Sequence, residues 1–178
     1  MHFDQAPERA GEEWGTAGRA AWVVRAFAEM LRAAVEAEGA EDGWLLFLED
    51  DLEFHPRLGA LVRSWPALAD ERCVLASLFN PLLQGNGSWG QIPRAFAAEP
   101  ATFLGAQALL LRRSAVRRAL EKWESVAGMQ AQRLAKILGA EGPIWVHRPS
   151  LVQHVAGESS WGARVQTALD FNPRWQAP

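Results

Sequence analysis

The sequence is poor in cysteine and lysine and contains no tyrosine. Cys73 is its only cysteine, which excludes both a disulfide within the chain and a zinc cluster built from thiolates. No apolar run approaches the roughly 20 residues that cross a bilayer, so we expect no transmembrane segment. The first residues are acidic and polar, without the basic-then-apolar order of a signal peptide. These absences predict a cytoplasmic protein.

Neither sign of charge dominates, with 18 basic and 21 acidic residues and a net charge of −3. This balance gives no reason to expect a nucleic-acid partner. The chain has 178 residues, of which 49% are hydrophobic, and such a chain can bury one core of its own. We therefore predict a flexible segment over residues 1–15 and a single domain over residues 16–178. The composition leaves the oligomeric state open.

Helical and extended patterns alternate along the predicted domain. Apolar residues at helical spacing predict an amphipathic helix that begins at Thr16. The short apolar run Trp44–Leu48 predicts a central, buried strand. The other predicted elements are strands over Cys73–Phe79, Phe103–Leu111 and Ile144–His147, helices from His55, over Ala115–Glu124 with Ser114 as cap and over Met129–Leu138, and a long loop over residues 80–100. This alternation predicts an α/β fold with a largely parallel sheet.

Three acidic residues, Glu49, Asp50 and Asp51, directly follow the apolar run. Ligands of open α/β sheets bind at the carboxyl ends of strands, which is where these charges would lie. Adjacent carboxylates repel one another, and a hard divalent cation with oxygen ligands would neutralise them and could also bind phosphate. The alternative is that they are polar loop residues, one of which caps the next helix.

Three segments together resemble the GT-A glycosyltransferases. LFLEDDLEFHPRL, residues 46–58, resembles their metal-binding DxD-type segment. PSLVQHV, residues 149–155, followed by Ser159 and Ser160, resembles the C-terminal motif of several of these families. FLGAQALLL, residues 103–111, resembles the glycine-containing strand on their acceptor side. The segments occur in the family's order.

The resemblance implies a metal-dependent glycosyltransferase with a GT-A-like, Rossmann-like sheet flanked by helices. It would move a sugar from a nucleoside-diphosphate donor, a UDP-sugar by analogy, to a hydroxyl acceptor. Asp51 and His154 would bind the metal, and Asp50 would bind it through water or contact the donor ribose. A site that mixes carboxylates with imidazole favours Mn²⁺ over Mg²⁺.

The resemblance also implies residues for the two substrates. Those implied on the donor side are Glu49, Asp50, Ser159 and Ser160, and those implied on the acceptor side are Gly105 and Gln107. Trp89 is a further acceptor-side candidate, because it lies in a glycine-rich segment that could form a substrate loop. Trp89 could stack on a sugar face. The alternative for Trp89 is a packed residue in a turn.

The sequence departs from the family in two places. Residues 1–15 contain no buried strand that could serve as the family's first nucleotide-binding strand. No carboxylate stands where inverting members place the general base, and Glu121 and Glu124 lie upstream. A second hypothesis is therefore a GT-A-like binding or partner subunit without turnover. A third is a metal-dependent phosphohydrolase, which would need a second metal-binding group that the sequence does not place.

Overall fold

The computed structural model describes residues 16–37, 43–81, 94–155 and 166–177. The helices in these ranges are α1 (Thr16–Glu36), α2 (Leu58–Arg63), α3 (Arg113–Glu121) and α4 (Gln130–Leu138). The strands are β1 (Trp44–Leu48), β2 (Leu52–Phe54), β3 (Leu75–Ser77), β4 (Ala95–Ala98), β5 (Ala108–Arg112), β6 (Ile144–His147) and β7 (Val152–His154). The chain is therefore a mixed α/β protein, as predicted. None of these helices combines the length and the apolar character that crossing a membrane requires.

Five strands form the main sheet in the order β1-β5-β3-β6-β4. Strands β3 and β6 run parallel, whereas the other three neighbouring pairs are antiparallel. The prediction of a largely parallel sheet is therefore wrong for the described residues. An apolar run shows that both faces of a strand are covered, but it carries no information about the direction of its neighbours.

Strand β1 lies at an edge of this sheet, where the sequence predicted a central strand. Its side chains alternate between two apolar clusters, with Leu45 and Phe47 on one face and Trp44 and Leu48 on the other. Leu46 is 48% exposed. The unbroken apolar run therefore indicates that both faces of the strand are partly covered. It does not indicate a central position, because a strand with two covered faces can still lie at the edge of a sheet.

The sheet separates two cores. On one face, Leu109 and Leu111 of β5 pack in a cluster with residues of α1, α3 and α4, such as Phe27 and Leu134. We call this cluster the helical core. On the other face, Leu110 packs in a cluster with residues of α2, β2 and β7. Alternation of side chains along β5 thus places three helices on one side and a smaller layer on the other.

That smaller layer contains a two-stranded antiparallel ribbon of β2 and β7. Leu52 pairs with His154, and Phe54 pairs with Val152. Leu52 and Val152 are buried in the cluster on this face, which fixes the ribbon against the sheet. The sequence did not predict this pairing, because each strand has only three residues.

Several predicted boundaries differ from the observed ones. Strand β5 begins at Ala108, after Gly105 turns the chain with a φ of 94°. Helix α3 begins at Arg113, so Ser114 lies inside it and does not cap it. Strand β4 lies within the range predicted as a long loop. The segment 1–15 lies outside the described residues.

Candidate metal centre

The pairing of β2 with β7 brings Asp51 to His154. Asp51 directly precedes β2, and its carbonyl oxygen accepts a hydrogen bond of 3.0 Å from the backbone N–H of Val155, which follows β7. The two side chains meet at this end of the ribbon, with His154 Nε2 2.8 Å from Asp51 Oδ2. The proximity that the sequence predicted for these two residues is observed.

Glu49 completes a group of three side chains. It follows β1, and its backbone N–H donates a 2.9 Å hydrogen bond to the carbonyl oxygen of Gln107. One ligand atom each from Glu49, Asp51 and His154 lies within 4.8 Å of the others. Asp50 is exposed and does not belong to this group. The structure thus brings Glu49 to the position in which the sequence placed Asp50.

The surroundings of Glu49 disfavour the charged form of its carboxyl group. Burial and, to a smaller extent, the negative charge of Asp51 together raise its pKa from 4.5 to about 7, against the opposing influence of His154. A carboxyl group with this pKa is easily protonated, because water is largely excluded and a second carboxylate is near. A bound cation would favour the charged form of Glu49 and remove the repulsion.

Asp51 has one carboxylate oxygen without a partner. Its Oδ2 faces His154, whereas its Oδ1 is buried and finds no hydrogen-bond donor in the part of the chain that is described. Buried polar atoms are nearly always paired, so an unpaired carboxylate oxygen indicates a missing donor or cation.

The donor atoms fit a divalent cation. Two ligands on opposite sides of one such ion stand about 4 to 5 Å apart, and the three ligand atoms lie within 4.8 Å of one another, so they can reach one ion. Two carboxylates and one imidazole would suit Mn²⁺ or Mg²⁺, and the imidazole favours Mn²⁺. Both carboxylates and the ring are half-buried, which leaves a side open for water or a substrate oxygen.

The second nitrogen of His154 is also engaged. Its Nδ1 lies 3.1 Å from the carbonyl oxygen of Gln166. Both ring nitrogens therefore face oxygen atoms. A cation would lie at Nε2, while Nδ1 would keep its proton and donate it to the carbonyl oxygen of Gln166. The sequence did not reveal this contact, because a backbone acceptor has no sequence signature.

Two predicted acceptor-side residues lie beside the end of β1. A Cβ atom on Gly105 would stand 2.9 Å from Gln107 Oε1 and 3.1 Å from Phe79 Cδ1, so the positive φ and the close packing both favour glycine there. Gln107 Oε1 is buried and has no hydrogen-bond partner among the described residues. Trp89, Ser159 and Ser160 lie outside the described residues.

The other reactive side chains have structural surroundings. His55 Nε2 donates to the carbonyl oxygen of Trp175 over 2.9 Å. His147 Nδ1 donates to the carbonyl oxygen of Pro149, and burial lowers the pKa of His147 to about 4. Burial also raises the pKa of Cys73 to about 12, which makes the thiol inert.

The two upstream carboxylates lie away from this centre. Glu121 ends α3 and Glu124 follows it, and both are exposed. Glu124 pairs with Arg133 over 3.8 Å. Helix α3 packs on the helical core, on the face of the sheet opposite the ribbon. Neither carboxylate is therefore placed to act as a general base at this centre.

A comparison of the chain with protein-family models, with curated proteins and with solved structures finds no match in any of the three. The likeness to GT-A glycosyltransferases accordingly rests on the three sequence segments alone. Two of those segments, residues 46–58 and 149–155, supply the three side chains of the candidate centre.

Proposed function

We propose that the protein is a metal-dependent glycosyltransferase with a GT-A-like sheet, which moves a sugar from a nucleoside-diphosphate sugar to a hydroxyl acceptor. The observation that carries this proposal is the contact between Asp51 and His154, which are 103 residues apart in sequence. Each belongs to a separate segment that resembles a metal-binding motif of that family. Two motifs that meet at ligand distance support the family more strongly than either does alone.

Glu49, Asp51 and His154 would hold the cation, with Mn²⁺ favoured over Mg²⁺. When bound, this cation would neutralise the negative charge that develops on the departing diphosphate. The exposed carboxylate of Asp50 would contact the donor ribose or a water on the metal. A UDP-sugar is the donor that the resemblance implies, and Ser159 and Ser160 would contact its diphosphate.

Gln107 and Gly105 would serve the acceptor. Gln107 Oε1 lacks a donor among the described residues, so it can accept a hydrogen bond from a substrate hydroxyl. Gly105 leaves room beside it, because a Cβ atom there would stand 2.9 Å from this same oxygen. Trp89 would stack on the apolar side of a sugar ring.

The open edge of β1 supports the expectation that the sheet lacks the first nucleotide-binding strand of GT-A domains. No strand lies on the outer side of β1 within the described ranges. Glu49 follows this strand directly, so a strand added at the edge would lie next to the candidate metal centre.

A second candidate is a GT-A-like subunit that binds a nucleotide or a partner without turnover. The surroundings of Glu121 and Glu124 favour it, because both lie on the far side of the sheet from the centre. The phosphohydrolase has less support, since the described residues contain one three-ligand group and no second one beside it.

Calorimetry of UDP binding with Mn²⁺ and then with EDTA tests the proposal. We expect the chelator to weaken UDP affinity by about tenfold or more, since the cation bridges protein and diphosphate. Equal affinity in both conditions would contradict the metal role. Release of UDP from a panel of UDP-sugars, with and without simple sugar acceptors, then separates the enzyme from the non-catalytic subunit.

A further inference from the structure

We propose that Gln153 is a positioning residue for the metal ligand His154. It would act through residues 166–170, which we call the clamp segment. This inference rests on the proposed metal centre. Gln153 contacts neither Asp51 nor Glu49 in the described hydrogen bonds, and its side chain turns to the clamp segment instead.

Gln153 joins the clamp segment by two hydrogen bonds. Its Nε2 donates to the carbonyl oxygen of Ala168 over 3.0 Å, and its Oε1 accepts from the backbone N–H of Ala168 over 2.8 Å. The same Oε1 accepts from the backbone N–H of His154 over 3.1 Å. The amide group of Gln153 therefore pairs with the backbone N–H and carbonyl of Ala168, as a neighbouring strand would. The same amide group also binds the backbone of His154.

This connection determines where Gln166 lies, two residues before Ala168. The carbonyl oxygen of Gln166 accepts a 3.1 Å hydrogen bond from His154 Nδ1. With a cation at Nε2, the acceptor at Nδ1 would keep the proton on Nδ1 and direct the Nε2 lone pair to the cation. Nε2 is the nitrogen that faces Asp51. Outer partners of this kind orient metal-binding histidines and raise their basicity.

A second anchor holds the far end of the clamp segment. Asp170 Oδ1 accepts hydrogen bonds from the hydroxyl of Ser150 over 2.6 Å and from its backbone N–H over 3.2 Å. Ser150 is fully buried. This anchor lies four residues from Gln166, so it offers a control that loosens the same segment without touching the contact at His154.

The experiment compares the full chain with Gln153→Leu and Ser150→Ala. In metal-free protein at about pH 8.5, where ordinary imidazoles are neutral, ring ¹⁵N shifts report which nitrogen of His154 carries the proton. These shifts are recorded in the Asp51→Ala background, which removes the carboxylate that faces Nε2. There we expect Nδ1–H without a further change and with Ser150→Ala, and a shift towards Nε2–H with Gln153→Leu. Mn²⁺ titration should show an affinity about 10-fold lower for Gln153→Leu and close to the parent for Ser150→Ala.

Equal effects of the two variants, or no effect of Gln153→Leu on the tautomer, would overturn the role of Gln153. Should Gln153→Leu fail to fold, Gln153→Glu replaces it, since that side chain keeps the acceptor for Ala168 and His154 but loses the donor; an unchanged tautomer there also overturns the proposal. If Asp51→Ala shows Nδ1–H but the parent binds no Mn²⁺, the metal centre alone is refuted. A parent that binds Mn²⁺ and tolerates Gln153→Leu would refute the positioning role alone.

Discussion

The helical core and the β2–β7 ribbon are built on different principles. The helical core brings residues of three helices onto one face of the sheet, and its members are apolar. The ribbon has three residues in each strand and carries Asp51 and His154 at one end. Its end is half-buried and charged, with an unpaired oxygen on Asp51 in the described structure.

The comparison separates a region that packs as an apolar core from a region that is a candidate for binding. Packing in the helical core follows from apolar area and shape, so its residues can be exchanged for others of similar volume. The ribbon end brings two carboxylates together, and their repulsion and burial oppose folding. Asp51 Oδ1 makes no hydrogen bond in the described residues that would offset this cost. A half-buried region with a carboxyl group whose pKa is raised, as that of Glu49 is, is a candidate for ligand binding.

The largest effect on folding should come from the helical core. Trp123 is fully buried and stacks on Phe27 with ring centroids 5.9 Å apart. We expect Trp123→Ala to lower the free energy of unfolding by about 3 to 5 kcal/mol, without changing Mn²⁺ affinity in the protein that remains folded. Leu169→Ala is the control, because Leu169 is 74% exposed. Denaturant unfolding measures both, and a small effect of Trp123→Ala would argue against this core.

A substitution at the ribbon end should instead lower Mn²⁺ affinity and leave stability nearly unchanged. Asp51→Ala removes a carboxylate that is near Glu49 and pairs with His154. We expect Mn²⁺ affinity to fall by about 100-fold, since even outer partners of a ligand are worth 10 to 100-fold. Stability of the metal-free protein should change by less than about 1 kcal/mol, because the lost pairing and the relieved repulsion oppose each other. A large loss of stability in EDTA would instead show a structural aspartate.

The smallest of these effects concerns pH. The pKa of Glu49 is raised to about 7 in the folded protein, so the folded state binds this proton more tightly than the unfolded state does. Its contribution to stability is fully present below the ordinary glutamate pKa and is lost as pH rises through about 7. At pH 8, Glu49→Gln should therefore stabilise the metal-free protein by about 1 to 3 kcal/mol, since a tenfold change in proton affinity is worth about 1.4 kcal/mol.

Unfolding curves of parent and Glu49→Gln in EDTA, taken from acidic to alkaline pH, measure this difference. The two proteins should be similar in acid and should separate as pH rises through neutrality. A difference that is constant with pH would show that Glu49 has an ordinary pKa, and the electrostatic contrast between the two regions would then disappear.

Much of the secondary structure could be predicted from the sequence, and the topology could not. Helix α1 and strand β6 follow from local periodicity and agree with the predicted elements. The edge position of β1 and the antiparallel pairs of β5 depend on which strands meet, and the apolar runs do not encode that. Strand β4 was missed because AFAA is short and lies between loops.

The candidate site was predictable where a residue belongs to a motif. Asp51 and His154 were found in this way, and their contact follows the register of β2 and β7. Glu49 was expected on the donor side and not as a metal ligand, because its position beside the other two depends on how the chain leaves β1. The contacts of Gln153 and Gln166 depend on a segment with no regular structure, so no periodic pattern could have revealed them.

The most direct test of the metal centre is a Mn²⁺ titration of His154→Ala beside the parent, in the presence of UDP and over roughly pH 5.5 to 7. Metal ligands bind without their protons, and the carboxyl of Glu49 has a pKa raised to about 7, so affinity in the parent should rise steeply with pH. In His154→Ala, affinity should be about tenfold lower or more, with a shallower dependence on pH. If the variant matches the parent in both affinity and pH profile, His154 is not a ligand and the proposed metal centre is wrong.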